Sequence, residues 1–347
     1  MKTKDSSEAT ENSVPSADLR EIHLQEIRRE ALNSGLASLS ARRGVITHAS
    51  PETGYYGMPL LKKPQWTRQV PVYFFCGGAA GAAAIIAAVA GATARNESLA
   101  RDARYIAAIG GMISPALLIS DLGMPSRFLN MMRILKPQSP MSVGSWTLMA
   151  FSSSSVAAAF LTAWQGRNNG ASRVRVLQSG TQFIAAITGA VLSTYTGVLL
   201  GVTAIPVWNQ NAAVLPVHFA ASGMGAAGAL LELRGHESTA LNAIGITTSL
   251  GETLIGSSIE LRKNPALKPL KSGSSGWLTR IGGLLSGPIP LFLRLLALGG
   301  NEKRNRRCRK IAAVSAIAGS VATRIAWTKA GAASTEDTAL LLRNHSG

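Results

Sequence analysis

The sequence is short of charge, of thiols and of imidazoles, and each shortage excludes something. Only 15% of its 347 residues are charged, against about 25% in an average soluble domain. The shortage is concentrated. No charged residue lies between Arg68 and Arg95, between Lys136 and Arg167, or among the 56 residues separating Arg175 from Glu232. Uncharged apolar runs of about 18 residues or more are long enough to cross a hydrocarbon layer, which excludes an ordinary soluble enzyme. The two cysteines are Cys76, inside the first apolar run, and Cys308, in a basic stretch, and no CxxC pair exists. Common iron–sulfur clusters need about four thiolates, so no cluster, zinc site or other metal is expected in this chain. A disulfide between two such distant elements is not expected either. Of five histidines, His23, His48 and His345 lie in the tails, and His218 and His236 are 18 residues apart. That spacing is roughly 27 Å along a helix, too far for two axial ligands of one membrane haem, so no haem is expected.

What is present is a net charge of +17, from 35 Lys and Arg against 18 Asp and Glu. The basic residues sit in tails and between apolar runs, where they set orientation and meet anionic lipid, so nucleic acid is not an expected partner. Residues 1–68 form a polar tail with ten basic and eight acidic residues. The first apolar run begins too late, and is too long, for a cleaved signal peptide. Within the tail, Asp18 and Glu21 have capping-box spacing and Leu19, Ile22 and Ile27 form a thin apolar stripe, so a short helix is expected over 18–31. Tyr55, Tyr56 and Trp66, with Lys62, Lys63 and Arg68, read as an interfacial anchor.

An all-α integral membrane protein of about eight spans is expected, over 71–94, 104–120, 143–164, 178–206, 212–231, 239–259, 277–298 and 310–328. Pro288 and Pro290 break the seventh, freeing carbonyls that Arg294 or water could satisfy. Gly77 with Gly81, and Gly197 with Gly201, have the spacing that lets helix backbones approach closely. Loop charges favour a cytoplasmic location for the connections after spans one, three, five and seven, while the basic N-terminal tail argues the other way.

Alternating spans bring one set of polar residues to a single membrane face: Tyr73, Asp121, Arg127, Arg133, Trp146, Tyr195, Trp208, Asn209 and His218. An ionisable residue within a span is a functional candidate by default. For Asp121 the plain alternative is a pair with Arg127 near the headgroups, and for Tyr195 a hydrogen bond within the core. In the second half, Glu232, Glu252, Glu260, Arg294 and Arg324 form either buried ion pairs or a proton route.

Several segments resemble the NrfD/PsrC family of polysulfide-reductase-type membrane subunits. They are Tyr73-Phe74-Phe75-Cys76-Gly77-Gly78-Ala79-Ala80-Gly81, Asp121 to Phe128 with Arg133, Pro137 to Trp146, Tyr195 to Leu200 with Pro206-Val207-Trp208, and Gly319 to Gly331. Cys76 departs from the pattern, standing where an apolar residue is expected. The resemblance covers roughly 55–335 and rests on the order and spacing of the motifs together. It implies a cofactor-free, quinone-reactive anchor in a prokaryotic cytoplasmic membrane, serving anaerobic respiration. Partners would be a ferredoxin-like iron–sulfur subunit and a molybdopterin catalytic subunit, of formate-dehydrogenase or polysulfide-reductase type. Two four-helix bundles are implied, over 69–206 and 207–328, with a tail over 329–347. A quinone or menaquinone headgroup would sit in the first bundle, against Tyr73, Asp121, Arg127, Trp146, Tyr195 and His218. Tyr195 would hydrogen-bond a carbonyl, Asp121 would exchange the proton with Arg127 assisting, and Glu252 and Arg324 would belong to a proton route. The loop from Asp121 to Trp146 would meet the iron–sulfur partner. A solute or ion transporter, and a structural anchor without quinone chemistry, are the competing readings.

Overall fold

A hydrocarbon layer offers backbone amides no partners, so segments without charge satisfy theirs internally as helices. The computed structural model describes residues 64–335 except 65, 94–95, 123, 168–171 and 300. The expected helix over 18–31, the aromatic pair Tyr55 and Tyr56, and residues beyond 335 lie outside the described residues. Every regular element described is helical. In order these are α1 (Gln69–Ala92), α2 (Glu97–Asp121), the short α3 (Arg127–Met131), α4 (Pro140–Arg167), α5 (Ser172–Gly201), the short α6 (Pro206–Asn209) and α7 (Val214–Leu233). They continue with α8 (Thr239–Leu261), a 3-10 turn at Pro265–Leu267, the short α9 (Lys268–Lys271), α10 (Gly273–Ser286), α11 (Pro288–Leu296) and α12 (Glu302–Ser334).

Six of these, α1, α2, α4, α5, α7 and α12, are long and apolar enough to cross a membrane, against about eight expected. The two remaining expected spans exist as helices but do not meet that standard. α8 has 23 residues, rich in Thr, Ser and Gly and carrying Glu252. The seventh is broken at Gly287 and Pro288 into α10 and α11, 14 and 9 residues long, because proline lacks the amide and clashes with the preceding turn. Two boundaries differ in a way that matters. α2 begins at Glu97, with the Asn96 side chain accepting from the Leu99 amide, so Arg104 lies inside the helix rather than at its start. α5 ends at Gly201, and Pro206 opens a separate short helix.

α1 is the hub, packed against α2, α5, α7 and α12. Its small residues make this possible. A Cβ at Gly81 would overlap the carbonyl of Gly189 on α5, and one at Gly223 on α7 would stand 2.8 Å from the carbonyl oxygen of Gly78. Close backbone approach of this kind replaces the hydrophobic driving force that is missing in lipid. α4 packs on α2 and α5, while α10 and α11 pack on α12 and α8. Chain direction alternates, so the start of α1, the end of α2, the starts of α4 and α7 and the end of α5 share one end of the body.

Candidate functional site

At that end the side chains form two constellations. The first lies among α1, α2, α4 and α5. Tyr73 and Tyr195 are both buried. The Tyr195 ring occupies the space that a Cβ at residue 144 would need, so Gly144 on α4 is what admits it. The Tyr195 hydroxyl abuts the Gly144 backbone without a well-formed hydrogen bond. Ser114 on α2 is fully buried with its hydroxyl unpartnered, and a Cβ at Gly77 would lie 3.6 Å from both Ser114 Oγ and the Tyr73 ring. Asp121, at the end of α2, accepts from the Thr67 amide at 3.3 Å and from the Thr67 hydroxyl. Thr67 is thus a partner of this carboxylate. The Arg127 backbone opens α3, and its side chain lies outside the described residues. Arg133 and Asn209 are exposed, as is 37% of Trp146.

Trp66 proves to be part of the packing. It stacks on Trp208 at 4.8 Å between centroids and meets Phe74 edge-on. Trp208 is fully buried and its indole N–H donates to the Trp327 carbonyl at 2.8 Å. This aromatic stack joins the segment before α1 to α6 and α12.

The second constellation is charged and runs through α7, α8, α10, α11 and α12. Among the described residues His218 has no hydrogen bond or ion pair with Tyr195 or Asp121. Its Nδ1 stands 3.4 Å from Glu252 Oε1, with both residues buried. Glu252 Oε2 accepts from Ser286 Oγ at 2.9 Å, and Ser286 is the residue just before the α10–α11 break. Arg324, fully buried, donates to Ser222 Oγ at 2.9 Å and to the Phe219 carbonyl at 3.2 Å, and lies over the Phe219 ring. Toward the other end of α7, Glu232 accepts from Arg294 at 2.6 and 2.9 Å and from Arg309 at 2.8 Å. Arg294 also donates to Asn242, so its guanidinium serves Glu232 and Asn242 and not the carbonyls freed by the prolines. Between the two clusters is a cavity of about 10 Å³ bordered by Ser222, Thr248, Ser249, Glu252, Ser286 and Arg294. That is room for about one water.

Sequence reasoning missed Ser114, Gly144, Ser286 and Asn242. Serine and glycine within spans read as packing residues, and nothing in spacing alone says which hydroxyl will be left without a partner. Among the described residues no group of three or more His, Cys, Asp or Glu could hold a metal ion.

A family model described as polysulphide reductase, NrfD, matches residues 62–331. No curated protein matches the chain. The matched segment takes in every helix described above, from α1 through nearly all of α12. With six helices long and apolar enough to span a membrane, the chain belongs to the polysulphide reductase NrfD family of multi-pass membrane subunits of quinone-linked oxidoreductase complexes.

Proposed function

We propose that this chain is the cofactor-free, quinone-reactive subunit of a respiratory complex in a prokaryotic cytoplasmic membrane. It would exchange electrons between a ferredoxin-like iron–sulfur partner and quinone or menaquinone, with a molybdopterin subunit beyond that partner. The observation that carries this reading is the pair of buried hydroxyls, Tyr195 and Ser114, held inside the family-matched helices with unused hydrogen-bonding capacity. A buried polar group without a partner costs about 1–3 kcal/mol, and a quinone carbonyl is an acceptor of the right chemistry to relieve it.

Quinone reduction to quinol takes up two electrons and two protons. The electrons come from the iron–sulfur partner, and the protons reach the headgroup through this chain. Tyr195 donates a hydrogen bond to one carbonyl and so favours charge building on that oxygen. Asp121 is half-buried at the membrane end of α2 and already hydrogen-bonded to Thr67. It can exchange a proton with water and pass it inward, with Arg127 nearby in sequence to stabilise the carboxylate. The segment after α2 supports a docking role, since Met124, Leu129, Ile134, Leu135 and Met141 are all more than half exposed, an apolar display that calls for a partner or lipid.

The two-bundle organisation, over 69–206 and 207–328, is supported by α4 packing chiefly on α2 and α5, and by α10 and α11 packing on α8 and α12. Within the second bundle, the sequence His218, Glu252, a water-sized cavity, then Arg294 with Glu232 supports a proton route. Arg324 would hold its positive charge beside that route.

The test is quinone-linked turnover of the assembled complex carrying Asp121→Asn or Tyr195→Phe, against the rate with a soluble dye that takes electrons from the catalytic subunit directly. Loss of quinone-linked rate with the dye rate intact is expected. Near-native quinone turnover in both variants would overturn the assignment.

A further inference from the structure

The opposite end of the first four long helices holds a site that the quinone reading does not use. A cavity of about 430 Å³ opens there, bordered by Gly91 of α1, Glu97 and Arg104 of α2, Gln165 of α4, and Arg175 and Gln178 of α5. Tyr195 lies 17 residues beyond Gln178 on α5, about 25 Å away by helix rise. The two sites are therefore at opposite membrane faces.

Arg104 is the centre of this cavity. It is 8% exposed, seven residues into a membrane helix, and no carboxylate is within ion-pair distance among the described residues. With its amide oxygen turned toward the guanidinium, Gln178 accepts from Arg104 at 2.9 Å and from Thr162 at 3.3 Å. A neutral amide satisfies hydrogen bonds but does not balance the charge. The other buried arginines are placed differently: Arg294 pairs with Glu232, and Arg324 is enclosed by Ser222, Ser320 and the Phe219 carbonyl. A second donor, Gln165 Nε2, is buried on the same cavity wall without a partner. Arg175 is exposed at the rim, and Glu97, the single acidic residue of the lining, is exposed as well. Gly91 leaves room for the guanidinium, since a Cβ there would stand 2.9 Å from Arg104 Nη2. Phe183 in the cavity wall and Val176 and Leu177 beside it on α5 are each more than 60% exposed, an apolar flank suited to acyl chains.

We propose that this cavity binds a phosphate group, and that its source is the headgroup of an anionic phospholipid. Arg104 and Arg175 meet the phosphate oxygens in the planar, two-pronged manner arginine favours, Gln165 donates to a third oxygen, and the lipid chains run down the outer face of α5. Glu97, exposed and beyond ion-pair distance, balances the Arg104 charge only in part, and the lipid phosphate completes the balance.

The experiment uses the purified, delipidated full-length protein in detergent, and reads its melting temperature as phosphatidylglycerol, phosphatidylcholine or sodium phosphate is added at constant ionic strength. Phosphatidylglycerol is expected to raise the wild-type melting temperature by several degrees, with phosphatidylcholine and sodium phosphate giving much less. Arg104→Gln should abolish the difference between the two lipids. Arg175→Gln, a change at an exposed position that leaves the packing untouched, should raise the half-saturating phosphatidylglycerol concentration several-fold. Equal shifts from both lipids in the wild type, or an unchanged lipid response in Arg175→Gln and Arg104→Gln, would overturn the site. An equal response to sodium phosphate alone would overturn the lipid source.

Discussion

Around Tyr195 the buried polar atoms are hydroxyls that the protein leaves unanswered, whereas around Glu232 they are charges that it answers several times over. Tyr195 and Ser114 lack well-formed partners, while Glu232 receives two arginines and shares one of them with Asn242. The difference follows from cost. An unpaired hydroxyl costs about 1–3 kcal/mol and can be carried until a ligand arrives. An unpaired buried charge costs several kcal/mol and is carried only where neighbouring acceptors and an open cavity relieve it, as at Arg104. In this comparison ligand-binding capacity is stored in the neutral groups around Tyr195, and the charges around Glu232 are structural or belong to a relay.

That contrast can be broken most forcefully at Glu232. Glu232→Ala leaves Arg294 and Arg309 without the carboxylate they share, with only Asn242 and the Ser238 carbonyl to accept from them, and a loss of about 3–5 kcal/mol is expected, read as a large drop in melting temperature and in yield of folded protein. Gly144→Val comes next. The added side chain collides with the Tyr195 ring, and a cost of about 1–3 kcal/mol is expected together with loss of quinone-linked turnover. Tyr195→Phe should show the reverse profile. It removes no well-formed hydrogen bond, so melting changes little, while quinone-linked turnover falls about tenfold or more if the hydroxyl stabilises a developing oxyanion by at least ~1.4 kcal/mol. Glu252→Gln keeps an acceptor for Ser286 but removes a proton carrier. Folding should be retained, and proton uptake measured in vesicles should slow by more than dye-linked electron transfer. The smallest effect is expected at the exposed pair of Arg280 with Glu260, 2.9 Å apart and each more than half exposed, where Arg280→Ala should change stability by less than about 1 kcal/mol.

Much of the architecture was legible in advance because it depends on local composition. Charge-free runs located α1, α4, α5 and α7, and Pro288 located the break between α10 and α11. Gly81, Gly197 and Gly201 were singled out by spacing, and each does sit against a neighbouring backbone too close to admit a side chain. Helix ends were less legible. Arg104 marked the expected start of a span because a charge usually does, but Asn96 caps the helix earlier and carries Arg104 inside. Partnerships were the least legible. Asp121 accepts from Thr67, 54 residues away, a partner that spacing along the chain does not suggest. His218 was grouped with Tyr195 by membrane face, yet it faces Glu252, because face assignment gives depth and not the direction a side chain takes around its helix.

The sequence by itself determined that this chain is a helical membrane protein of the NrfD family, since both follow from runs of residue type along the chain and from motif order. The tertiary structure alone decided which buried groups are paired and which are open. A single hydroxyl at Tyr195 and a single guanidinium at Arg104 are chemically ordinary in the sequence. Their surroundings, a glycine backbone in one case and a neutral amide beside an open cavity in the other, are assembled from helices far apart in the chain.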